Sequence, residues 1–134
     1  MAITKNRGRQ NAIEAYVDVS FADLAGLSGA ATVAIDLPVG AQVVGGDLVV
    51  DTAFNSVTSD VITVGDALSA ARYLGSTSIA ATGRTALVPT GYRALSTSNQ
   101  IKVTWTGVGT APSAGQIRLR VSYIVNKRAS FSQG

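Results

Sequence analysis

The chain has 134 residues, with 11 Lys and Arg against 8 Asp and Glu, and it contains neither cysteine nor histidine. That length suits one domain with one core, and the two missing residue types exclude a disulfide framework, a thiolate metal site, a Ser–His pair and a Cys nucleophile. Charged residues make up 14%, against about 25% in an average soluble protein, so a surface of Ala, Ser, Thr and Gly either faces protein or is simply rich in small residues.

Taken from the N-terminus, "MAITKNRGRQNAIEAY" holds Lys5, Arg7 and Arg9 but no apolar run behind them. It does not read as a secretory signal. Residues 1–12 read as a basic arm, residues 13–125 as the folded body. No apolar run, "VVGGDLVV" included, approaches the roughly 18 to 20 residues that span a bilayer.

The body is dominated by a period of two. In "AYVDVSFAD", Ala15, Val17, Val19 and Phe21 fall on one side and Asp18 and Ser20 on the other. In "ATVAIDLP", Ala31, Val33, Ile35 and Leu37 alternate with Thr32, Ala34 and Asp36. Alternation of this kind makes strands with one face on a core and one face polar. Weaker strands are expected at "AQVV", "DLVVDTAF", "DVITVG", "TSIAAT" and "TALVP", with turns at "PVGA" and at Gly45–Gly46.

"GDALSAARYLG" interrupts the pattern. Asp66 is a plausible N-cap, good helix formers follow, and Gly75 is a stop, so a short helical turn is expected over residues 66–74. The pattern of two then returns. Ile101, Val103 and Trp105 alternate with Lys102 and Thr104; Leu119, Val121 and Tyr123 alternate with Arg118, Arg120 and Ser122. These six apolar residues are expected to centre the core. The fold class is therefore all-β: an antiparallel β-sandwich, expected to be a jelly roll of about eight strands, with one short helical turn and extended basic termini.

Residues 126–134 form a second basic arm, with Lys127, Arg128 and a lone Phe131. The two arms hold five of the 11 cations and no acid, which leaves the body 6 cations against 8 acids. Neither arm has the apolar content to fold alone. Basic arms can grip phosphates, but these lack interleaved aromatics, and nucleic acid is not the expected partner. An acidic protein surface is, with a frayed terminus as the plain alternative.

Chemistry finds little purchase. The aspartates fall on outward strand positions or near turns. Asp47 and Asp51 share a strand face but stand about 13 Å apart at strand rise, too far to share a small ion. "VGTAPSAG" is Gly-rich but lacks the Lys-Ser/Thr step and the helix of a phosphate loop. A sugar-binding module would need exposed aromatics; Trp105 has core parity, leaving Tyr73 and Tyr92 as loop candidates.

The run from Asp60 to Val125 resembles small β-rich structural proteins of tailed bacteriophages. The matching residues are Val64, Gly65, Asp66, Arg72 and Tyr73, then "ATGRTAL", then the strands around Trp105 and Tyr123; "IDLPVGAQVVGGDLVV" matches earlier in the chain. The resemblance covers about residues 31–126. It implies a non-enzymatic head decoration, or cement, protein without cofactors. Such a protein sits on the outer capsid surface as a homotrimer, binds the major capsid protein and clamps neighbouring capsomers. A tail, neck or fibre-adaptor protein shares the look, and a carbohydrate-binding sandwich is the alternative from another class. On the cement reading the partner-binding residues are Lys5, Arg7, Arg9, Lys127 and Arg128 against acidic capsid surface, with Phe131 as an apolar anchor.

Overall fold

The computed structural model describes residues 12–125. Within them are eight strands: β1 (Ile13–Ser20), β2 (Ala31–Asp36), β3 (Ala41–Thr52), β4 (Ser59–Gly65), β5 (Leu74–Ser78), β6 (Gly83–Ala86), β7 (Gln100–Val108) and β8 (Gln116–Val125). They form two four-stranded antiparallel sheets, ordered β1-β8-β3-β6 and β2-β7-β4-β5. Successive strands β1 to β4 change sheet at each step, and β5 to β8 retrace the path, which is the two-Greek-key winding of a jelly roll.

The alternating residues fill the space between the sheets. Ile101, Val103, Trp105, Leu119, Val121 and Tyr123 are all buried, together with Leu48, Ile62, Val64 and Ile117. The Phe54 and Trp105 rings pack tilted at 44° with centroids 6.3 Å apart.

Three expectations change. "AQVV" and "DLVVDTAF" are one strand, and Gly45–Gly46 is no turn. The register of β3 against β8 slips between Val43 and Gly45, which puts Val44 outside at 40% exposure. A Cβ on Gly46 would lie 2.2 Å from the Arg120 carbonyl oxygen, so glycine is needed there for close backbone approach within a bulge. In β2, a slip between Val33 and Ile35 breaks the alternation. Val33 is 47% exposed while Ile35 and Leu37 stay buried.

The third change concerns residues 66–74, where no helix forms. Asp66 Oδ1 does accept hydrogen bonds from the amides of Leu68 and Ser69, both 2.9 Å, as an N-cap would. The bonds that follow are those of turns: Arg72 N–H donates to the Ser69 carbonyl, and Asp66 N–H donates to the same oxygen. Tyr73 N–H then donates to the Val64 carbonyl at 2.9 Å, drawing the chain into β5 beside β4. The strand pairing closes the loop before an α-helical turn can complete.

The register also sorts the loops. Ile13 lies opposite Tyr123, Val125 opposite Ala41, Asp36 opposite Gln100 and Val64 opposite Leu74. The start of β1, the finish of β8 and the loops 37–40, 66–73 and 87–99 therefore share one end of the sandwich. Loops 21–30, 53–58, 79–82 and 109–115 share the other.

Candidate interaction site

Two constructions stand out. The first ties the loops at the end where β1 begins. The Asp66 side chain is fully buried and forms an ion pair with Arg72 Nε at 2.6 Å. The Arg72 guanidinium lies 3.5 Å from the centroid of the Tyr92 ring, a cation–π contact. Tyr92 Oη and Ser98 Oγ are 2.7 Å apart, and Ser98 Oγ accepts from the Leu95 amide at 3.0 Å. Loop 66–73 is thereby fastened to loop 87–99. Loop 37–40 joins them: Gly40 N–H donates to the Ala94 carbonyl, Ala94 N–H to that of Ala41, and Asn99 Nδ2 to that of Leu37.

This geometry corrects the expectation for the loop tyrosines. Tyr73 is buried, and its hydroxyl is pushed above its ordinary pKa by burial and then by the nearby Asp66 charge. Tyr92 carries Arg72 on its face. Neither is a free stacking platform for a sugar. The Arg72–Tyr73 step is a loop clamp, and its meaning lay in a partner twenty residues ahead that no local pattern shows.

The second construction covers the outer face of the β1-β8-β3-β6 sheet. Because side chains alternate, Glu14 and Tyr16 of β1, Arg118 and Arg120 of β8, and Asp47 and Val49 of β3 point to the same side. Asp47 takes Arg84 Nε at 2.7 Å and Arg120 Nη2 at 3.2 Å; Arg120 Nη1 also donates to Glu14 Oε1 at 2.5 Å. Burial raises the Asp47 carboxyl, but the two arginines outweigh it and hold the group below the ordinary carboxylate value. Among the described residues, Arg118 pairs only with Asp51, at 3.8 Å. The residues frame an open groove of about 650 Å³ with Tyr16, 70% exposed, on its wall. Outward parity placed Arg118 and Arg120 correctly. Asp47 was missed as a buried carboxylate, since its cations come from strands 37 and 73 residues away.

The expected partner-binding residues Lys5, Arg7, Arg9, Lys127, Arg128 and Phe131 lie outside the described residues. Among the described residues no group of three acidic side chains could hold a metal ion, and no helix is long and apolar enough to cross a membrane.

Comparison with solved structures finds the same fold in phage capsids. A chain of the cyanophage Pam1 capsid asymmetric unit superposes with a TM-score of 0.70 at 25% identity, over 93% of this chain and 91% of that one. A chain of the Ralstonia phage GP4 capsid gives 0.62 at 15% identity, over 94% and 91%. A chain from the acid-stable capsid structure of Helicobacter pylori bacteriophage KHP30 gives 0.61 at 20%, over 86% and 88%. No family model matches the sequence, and no curated protein matches it. The chain is thus a jelly roll of the kind found in phage capsid structures, similar to them over nearly its whole length.

Proposed function

We propose that this protein is a non-enzymatic structural component of a phage virion, a decoration protein that binds the outer capsid surface and stabilises contacts between capsomers. The observation that carries this reading is the likeness to capsid chains at both ends of the comparison. Over nine-tenths of this chain matches over nine-tenths of the Pam1 chain, so the matched chain is of similar length rather than one domain of a large shell subunit.

The body supports the role. Its core runs through both sheets, and its loops at one end are fastened by side-chain bonds. A rigid body loses little conformational entropy on binding. The sequence adds two cationic arms, and repeated copies on a lattice convert weak contacts into avidity. A homotrimer at a three-fold or quasi-three-fold position is the assembly we propose with it.

Particles made without this protein, and particles to which it has been added back, test the role. Bare particles are expected to release DNA at lower temperature, and addition of the purified protein is expected to restore the wild-type release temperature. Unchanged release in bare particles, with loss of tails or of tail attachment, would place the protein in the neck or tail.

A further inference from the structure

We infer that the outer face of the β1-β8-β3-β6 sheet holds a binding site for a neutral saccharide, centred on Tyr16, Asp18 and Arg118. The inference uses this face alone and is independent of the capsid reading.

Strand alternation assembles the site. Tyr16 and Asp18 follow one another on the outer side of β1. Asp18 lies opposite Arg118 of β8, and Arg118 lies opposite Val49 of β3. All four line the open groove of about 650 Å³. From Tyr16 on β1 to Arg84 on β6 the groove crosses the whole sheet, three strand spacings or about 14 Å, which gives room for linked sugar rings. A concave surface with a few convergent polar groups beside apolar ones is the usual form of a small-ligand site.

The ring of Tyr16 is available. Among the described residues it is the only exposed aromatic side chain. Tyr92 has its face covered by Arg72 at 3.5 Å, and no other described arginine lies over a ring. Arg120, directly opposite Tyr16, is held instead by Glu14 and Asp47. A bare tyrosine face offers apolar area to the C–H side of a pyranose at a small cost in rotamer freedom.

Polar capacity lies beside it. Asp18 accepts and Arg118 donates, on adjacent strands. The Arg118–Asp51 separation of 3.8 Å is beyond hydrogen-bond length, and their side chains are 47% and 42% exposed. A sugar hydroxyl both donates and accepts, so neighbouring hydroxyls match a carboxylate next to a guanidinium. Asp47 has a different part: held between Arg84 and Arg120, it fixes the groove before any ligand arrives, which lowers the ordering cost of binding.

Charge selects the class of ligand. Among the described residues of this face, Arg84, Arg118 and Arg120 stand against four acids, Glu14, Asp18, Asp47 and Asp51. No excess of positive charge draws a phosphate or a carboxylate into the groove. A neutral polyhydroxylated ligand suits a surface of directed but balanced charges.

An NMR titration of the isotope-labelled full-length protein with maltotetraose, cellotetraose and tetra-N-acetylchitotetraose tests this. At least one of these is expected to shift amides of β1 and β8 around Tyr16 and Arg118. Tyr16→Leu keeps an apolar strand residue without the ring and is expected to weaken binding about tenfold. Arg118→Ala is expected to weaken it by about the same factor, with Arg118→Gln in its place if the alanine variant melts early. Tyr16→Phe should bind within about twofold of wild type, because the contact needs the ring and not the hydroxyl. Absence of shifts with all three sugars at about 10 mM, well above a millimolar dissociation constant, would overturn the inference. So would unchanged affinity in Tyr16→Leu, or shifts produced only by inorganic phosphate or tetragalacturonate, which would mark an anion site. Loss of binding to phage particles in Tyr16→Leu, without any sugar binding by the wild type, would make this face a protein interface and leave the capsid reading standing. Sugar binding by a protein that does not attach to particles would support the site and remove the capsid reading.

Discussion

The indole nitrogen of Trp105 donates a 2.9 Å hydrogen bond to Asp60 Oδ1, and both residues are buried. The same carboxylate accepts from Ser56 N–H at 2.8 Å and Ser56 Oγ at 2.7 Å. A buried carboxylate is tolerated because three donors replace water around it. The contact links β7 to the head of β4 and holds loop 53–58 over the indole.

Trp105→Ala should therefore cost about 3 to 5 kcal/mol, since it opens a cavity and strands Asp60. Trp105→Phe keeps most of the packing and should cost about 1 to 3 kcal/mol, the range for a buried hydrogen-bonding group left without its partner. Urea unfolding followed by circular dichroism gives both values. A cost near zero for Trp105→Phe would mean that the hydrogen bond adds nothing beyond packing.

Arg72→Ala removes the cation from a buried Asp66 and the cover from Tyr92. A loss of about 2 to 4 kcal/mol is expected, with faster amide exchange in loops 66–73 and 87–99. Arg72→Lys should recover only part, because a single ammonium cannot both pair with Asp66 and lie flat on the ring. Full recovery by lysine would reduce the contact to simple charge pairing.

Asp47 sets an acid dependence. Its carboxyl is held below the ordinary carboxylate value in the folded protein, because Arg120 and Arg84 outweigh the burial that would raise it. A folded-state pKa below the unfolded one contributes stability in full above the unfolded value, and that contribution disappears as pH falls through the folded one. Asp47→Asn should accordingly melt below wild type at pH 6. The gap should narrow as the pH drops below about 4, the ordinary carboxylate range. A gap that stays constant down to pH 2 would contradict the pairing.

Much of the fold was legible in the sequence because period two is a direct image of a half-buried strand. The core residues of β7 and β8, Trp105 and Tyr123 among them, were read from parity alone. What parity could not show was where it breaks. The slips at Val33/Ile35 and Val43/Gly45 are set by the partner strands, and a Gly-Gly pair looks the same in a turn and in a bulge. Asp66 sent a true capping signal, but Tyr73 N–H bonding to Val64 redirected the chain. The charged ladder around Asp47 depends on long-range register and left no local trace. The expected arm residues Lys5, Arg7, Arg9, Lys127, Arg128 and Phe131 lie outside the described residues.

A three-dimensional reconstruction of the intact virion decides where the protein sits. Density for this sandwich is expected on the outer capsid surface, as trimers at three-fold or quasi-three-fold positions. Sandwich density confined to the neck or tail, with a bare outer capsid, would contradict it.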